Sequence, residues 1–117
     1  MLSSISMNIN SVQNYIISMN ILEWLGGRPF LSATKSKEPI TLERGFQIRL
    51  SRNKLKANYL HIFLESNGHY SVTFIRSTLA MFKIVRQFSN ICGEQLRPFF
   101  EAESGKTTGV KVNKIIN

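Results

Sequence analysis

At 117 residues, 43% of them hydrophobic and 10% aromatic, the chain suits one globular domain rather than a disordered segment. Fifteen Lys and Arg oppose seven acidic residues, all of them Glu, and the net charge of +8 points to a polyanionic partner, nucleic acid before an anionic membrane. A single cysteine, Cys92, excludes an internal disulfide and any need for an oxidising compartment, so a cytoplasmic setting is expected.

Residues 1–22 carry no charge. Ser3, Ser4, Asn8, Asn10, Ser11, Gln13 and Asn14 interrupt the apolar residues there, and no basic segment precedes them, so neither a signal peptide nor a membrane span is expected. From Ser11 to Leu25, Val12, Tyr15, Ile16, Met19, Leu22 and Leu25 recur at three- and four-residue steps, one stripe of an amphipathic helix expected to face the core. Ser11 can cap that helix, Gly26-Gly27 can end it, and Pro29 follows. Ile21 and Trp24 lie off the stripe and offer a second contact surface, through which a homo-oligomer could form.

After a Ser/Thr/Lys connection the period drops to two. Phe46, Ile48 and Leu50, then Leu60, Ile62 and Leu64, then Tyr70, Val72 and Phe74 mark three strands. Phe82, Ile84, Arg86 and Phe88 mark a fourth, although their spacing would also serve a helix. Ile91, Leu96, Phe99 and Phe100 predict a C-terminal helix weakened or kinked by Pro98, and beyond it residues 106–117 form a loosely held basic tail. The expected architecture is α+β: an N-terminal helix, a meander of about four antiparallel strands and a C-terminal helix, all in a single domain over residues 1–105.

The stretch "LESNGHYSVTF" fixes one register. A two-residue Asn67-Gly68 loop would pair Leu64 with Ser71 and split the apolar rows between opposite faces. A three-residue loop with Gly68 in the left-handed position pairs Glu65 with His69 and Leu64 with Tyr70, which puts Leu60, Ile62, Leu64, Tyr70, Val72 and Phe74 on one face. The other face then carries Gln47, Arg49, Tyr59, His61, Phe63, Ser71, Thr73 and, at its margin, Lys83. Aromatic rings interleaved with cations on an open sheet can stack unpaired bases and neutralise phosphates; under a covering helix Tyr59 and Phe63 would be ordinary core. Arg44, Arg49, Arg52, Lys54 and Lys56 form a basic run whose Arg52–Lys56 portion joins two strands, where it would either grip a phosphate backbone or stand as a solvated turn.

Enzyme classes argue down one by one. "SGKTTG" at 104–109 resembles the end of a phosphate-binding loop, but position 100 is Phe where a Gly is needed, and a helix rather than a strand is expected before it. Cys92 with His61 or His69 lacks an Asp to orient a base, and Cys92 reads as a small buried apolar residue. Two His and one Cys fall short of a closed metal site, and Glu101 and Glu103, two apart, would diverge on a helix. No enzyme, metal or cofactor is therefore expected.

The segments "NILEWLGGRPFLSATKSKE", "GFQIRLSRNKLKANYLHIFLESNGHYSVTF" and "GEQLRPFFEAESG" resemble a family of short uncharacterised proteins carried by bacteriophages and mobile elements. The resemblance rests on Leu25-Gly26-Gly27 with Phe30, the basic strand-loop-strand with Asn58, Tyr70-x-Val72-x-Phe74 and the late Leu96, Phe100 and Gly105, over residues 19–105. Such proteins usually begin just before the Leu-Gly-Gly helix, so residues 1–18 read as an extension and Met19 competes with Met1 as the start. They close on a different C-terminal sequence from "KTTGVKVNKIIN". The resemblance implies a phage or mobile-element setting inside a host cell. Two functions fit it: non-catalytic binding of nucleic acid, single-stranded for preference, with Arg49, Arg52, Lys54 and Lys56 on phosphates and Tyr59 and Phe63 on bases; or inhibition of a host enzyme or defence complex, in the manner of an anti-CRISPR protein, by contact with a nucleic-acid-binding host protein.

Overall fold

The computed structural model describes residues 2–107, with side chains from residue 10 onward. In chain order it comprises helix α1 (Leu2–Leu25), helix α2 (Gly27–Thr34), strands β1 (Lys37–Leu42), β2 (Gly45–Arg49), β3 (Tyr59–Leu64), β4 (Tyr70–Ser77) and β5 (Phe82–Ile91), a 3-10 turn at Gly93–Gln95 and helix α3 (Leu96–Ser104). The strands form one antiparallel meander in the order β1-β2-β3-β4-β5, so the sheet has five strands rather than about four. The additional strand is β1, which lies in the stretch expected to be a connection. Its Lys37-Glu38-Pro39 start shows no alternation, and a register shift between Lys37 and Ile40 takes up Glu38 at φ 53°. Pro39 is tolerated because β1 is an edge strand.

One layer of helices covers one face of the sheet. Phe46, Ile48, Leu60, Ile62, Val72 and Phe74 point into it, and Ile21, Leu22, Leu25, Phe30, Leu96 and Phe100 close over them. The ring of Phe30 meets that of Phe100 edge-on at 5.2 Å, and Phe100 stacks against Phe74 at 6.3 Å, so one aromatic column joins α2, α3 and β4. Gly26 ends α1 with N–H bonds to the carbonyls of Leu22 and Glu23, after which the chain enters α2, a helix the sequence pattern did not predict. Pro29 sits in the first turn of α2, where its missing N–H costs nothing, and Pro98 does the same in α3, which continues past it to Ser104. Gly105 closes α3 at φ 76°.

The stripe expected to anchor α1 is only half right. Leu22 and Leu25 are buried, but Val12, Tyr15, Ile16 and Met19 are exposed, and the helix docks instead through Ile17, Ser18, Ile21, Leu22 and Leu25. Ile21, expected on an exposed second surface, has no exposure at all, while Trp24 stays partly exposed with its indole laid over Gly93. The docking face is selected by tertiary contact: Asn14 Oδ1 accepts the Arg44 N–H at 2.9 Å, which fixes the helix against the β1–β2 turn. Cys92, expected to be buried, is half-buried at the start of the 3-10 turn, where its N–H donates to Gln95 Oε1.

The β3–β4 hairpin has the expected three-residue loop. Leu64 pairs with Tyr70, the Glu65 N–H donates to the His69 carbonyl at 2.8 Å, and Gly68 takes φ 85°. Lys106 does not hang free at the end of α3: its Nζ donates to Ser51 Oγ at 2.6 Å and to the Thr34 carbonyl at 3.3 Å, pinning the segment to the end of α2. The rest of the expected basic tail, from residue 108, lies outside the described residues, as does Met1. Among the described residues no helix is long and apolar enough to cross a membrane.

Candidate functional site

Side chains of directly paired residues in a sheet stand on the same face, so the registers map the side that no helix among the described residues covers. Gln47, His61, Thr73 and Gln87 form one cross-strand row, with Ile40 on β1 opposite Gln47. Arg49, Tyr59, Ile75 and Ile84 form the next, and Ser77 with Phe82 lies beyond it. On the other flank Leu42, Gly45, Phe63 and Ser71 align. Ile75 is buried yet stands outside the helix-covered core, because its neighbours on this face, and not a helix, cover it.

Two β5 residues that sequence reasoning left off the face are its most exposed hydrophobic residues: Phe82 is 67% exposed and Ile84 48%. The reason is a bulge. The register shifts between Phe74 and Ile75 so that Val85 is extra, and the alternation of β5 reverses across it. Phe82 and Ile84 therefore face outward while Arg86 and Phe88, two and four residues on, face the helices, where Arg86 lies 3.6 Å from Glu103 of α3 and Phe88 meets Phe99 edge-on at 4.7 Å. Lys83, expected at the margin of the open face, pairs with Arg76 and takes the opposite side. No local signal in the sequence marks this bulge.

The remaining expected residues divide into a face group and an edge group. Arg49, Tyr59, His61 and Phe63 are on the face. His61 Nε2 donates to Gln47 Oε1 at 2.8 Å, and its ring meets Phe63 edge-on at 5.9 Å. Burial beside these neighbours lowers the His61 pKa below its ordinary 6.5, so the ring is neutral at physiological pH. Phe63 lies across Gly45, where a Cβ would overlap the edge of its ring, so the glycine sets the ring's position. Tyr59, Ile75 and Phe82 wall a hollow of about 260 Å³ together with Gln47, His61 and Ser77. Arg49 is held 3.9 Å from Glu38 of β1, a solvent-screened pair that leaves the guanidinium accessible.

Arg52, Lys54 and Lys56 occupy the loop between β2 and β3, at the end of the sheet where Arg49, Tyr59, Ser77 and Phe82 also lie. Asn53 organises that loop. Its Oδ1 accepts the Leu55 and Ala57 N–H groups, and its Nδ2 donates to the Ser51 and Ala57 carbonyls. Asn58 then ties the loop to the end of β4 with paired 2.8 Å bonds to Ser77, and Arg76 Nε donates to the Lys56 carbonyl at 2.9 Å. Arg76 thus joins Arg49, Arg52 and Lys56 in a cationic rim at this end of the sheet, while Lys54 lays its stem against Gly105 beyond α3 and Lys83 stands on the helix-covered side. Arg44 lies apart from it, at the opposite end of β2, with its Nε on the Leu64 carbonyl at 3.2 Å. Among the described residues no three His, Cys, Asp or Glu side chains converge to hold a metal ion. No protein-family model, curated protein or solved structure matches the chain.

Proposed function

We propose that this protein binds single-stranded nucleic acid without catalysing a reaction on it, in the phage or mobile-element setting that its sequence resembles. One observation carries the reading: a sheet face that no helix among the described residues covers presents Tyr59, Phe63 and Phe82 beside a rim of cations at one end of the sheet. Unpaired bases offer π-faces to such rings, and the strand's phosphates would follow the rim of Arg49, Arg52 and Lys56. The hollow between Tyr59 and Phe82, floored by Ile75, suits one planar ring, since strands two apart are roughly 10 Å distant.

The test is binding of labelled single- and double-stranded DNA and RNA at about 50 and about 200 mM salt, the range in which phosphate contacts weaken steeply. Single-strand preference is expected to survive the higher salt. Tyr59→Ala and Phe82→Ala are each expected to weaken binding by roughly 5- to 150-fold, since stacking contributes ~1–3 kcal/mol per base. Affinity unchanged in both folded variants would refute stacking.

A second reading is favoured by the apolar share of the same face, where Ile84 stands exposed beside Phe82 and Ile40 is exposed on the opposite edge strand. Such a surface also fits a protein, and the protein would then act as an inhibitor of a nucleic-acid-handling host enzyme or defence complex. A stoichiometric protein partner retained from nuclease-treated host lysate, with only salt-labile affinity for free strands, would favour it.

A further inference from the structure

One row of the open face is polar from β2 to β5: Gln47, His61, Thr73 and Gln87 stand side by side. Its first two members line the same hollow as Tyr59, Ile75 and Phe82. Rings alone do not tell one base from another, because every base has a π-face. Hydrogen-bonding groups at the edge of the hollow can, and here one bond sets their pattern. His61 Nε2 donates to Gln47 Oε1 at 2.8 Å, which commits both side chains. The other half of the amide, Gln47 Nε2, can only donate. The other ring nitrogen, His61 Nδ1, can only accept, since burial keeps the imidazole neutral. The pair therefore offers a donor and an acceptor side by side. Ser77, which also lines the hollow, adds a hydroxyl that serves either role and so does not discriminate.

We infer, resting on the strand-binding reading, that Gln47 and His61 make the hollow select a keto pyrimidine, uracil or thymine, over cytosine and adenine. The pairing edge of uracil and thymine sets a carbonyl next to a ring N–H. The carbonyl takes a proton from Gln47 Nε2, and the N–H donates to His61 Nδ1. Cytosine and adenine carry the reverse edge, an amino group next to a ring-nitrogen acceptor, so either would bring donor against donor and acceptor against acceptor. A part-buried polar pair rejects the wrong edge because its own groups are then left unsatisfied. Guanine carries the keto edge on a two-ring frame, larger than the single ring that the hollow suits. Tyr59 and Phe82 thus supply affinity for any base, and the Gln47–His61 pair supplies identity.

The test compares the full chain's affinity for short single strands of thymidine alone and of deoxycytidine alone, at about 200 mM salt, where phosphate contacts are weak. The parent is expected to hold the thymidine strand about 5-fold or more tightly, the low end of what a paired donor and acceptor give. Stacking strength and backbone flexibility also produce modest preferences, so two variants decide the cause. Gln47→Glu keeps the side chain's length and its bond from His61 but offers the hollow an acceptor, and is expected to reverse the ratio in favour of the cytosine amino group. Gln47→Met, which offers neither group, is expected to bring the ratio close to one. The ratio is the readout because an added carboxylate weakens every strand alike, and circular dichroism with a urea midpoint confirms that each variant is folded. Equal affinity of the parent for the two strands overturns the inference and leaves strand binding standing, as does a thymidine preference that persists unchanged in folded Gln47→Glu. A parent that binds neither strand overturns strand binding itself, and the inference with it.

Discussion

Gly45→Ala is the substitution that most directly joins the fold to the open face. The residue's φ is not in the left-handed region, so alanine has no backbone penalty, and on conformational entropy alone it would stabilise the protein by ~0.4–1 kcal/mol. Space decides against it. A Cβ at Gly45 overlaps the edge of the Phe63 ring and stands 2.7 Å from the Ile62 carbonyl oxygen. A carbon wants about 3.3 Å from such an oxygen, so the shortfall is roughly half an ångström, and the oxygen belongs to backbone that cannot rotate away. Overpacking of this kind costs about 1–3 kcal/mol, which leaves a net loss of ~1–2 kcal/mol after the entropic gain. For a domain near this length that lowers the thermal midpoint by roughly 5–10 °C. Urea denaturation of parent and variant measures the loss, and the unchanged slope shows that only stability moved. Gly68→Ala provides the contrast: nothing lies within 4 Å of its added Cβ, and its cost is the backbone strain of φ 85° alone, about 1 kcal/mol. A Gly45→Ala variant as stable as the parent would refute the packing of Phe63 over Gly45, and with it the ring's placement on the open face.

Asn53→Ala removes four bonds that hold the cationic loop and is expected to cost about 2 kcal/mol, read by denaturation, while loosening strand binding. Phe30→Ala empties the centre of the aromatic column, where Phe30 has no exposure, and is expected to cost ~3–5 kcal/mol in the same assay. His61 is depressed by burial, so the unfolded chain takes up its proton first. Stability is therefore full above pH 6.5, falls as the pH drops from there through the folded pKa, and levels off below it. His61→Gln should flatten that part of a stability profile measured from pH 8 to 5 relative to the parent.

What was legible in the sequence follows from how local each signal is. The β3–β4 hairpin is set by residues within a dozen positions of one another, and only the three-residue loop aligns Leu64 with Tyr70, so its register could be derived. The face that carries Arg49, Tyr59, His61 and Phe63 followed from that register. The bulge at Val85 is a response of β5 to its partner, and it moved Phe82 and Ile84 onto the face and Lys83 off it with no mark in composition. On α1 periodicity picked the stripe through Val12, Tyr15, Ile16 and Met19, whereas docking against β1, β2 and α3 used the side through Ile17, Ile21 and Leu25. Helix α2 escaped because Gly27 and Pro29 read as an ending, although both residues are acceptable in a first turn.

The meander has a kinetic consequence. Every hydrogen-bonded strand pair joins neighbours in the chain, so the sheet can zip from any hairpin at little loop-closure cost. The long closure is the one that brings α1 to α3, across nearly the whole sequence. We predict that β3–β4 organises the folding transition state and that the first helix docks after it. Gly68→Ala should then slow folding, whereas Leu25→Ala should chiefly accelerate unfolding, and the reverse pattern in a chevron analysis would place the helix in the nucleus instead.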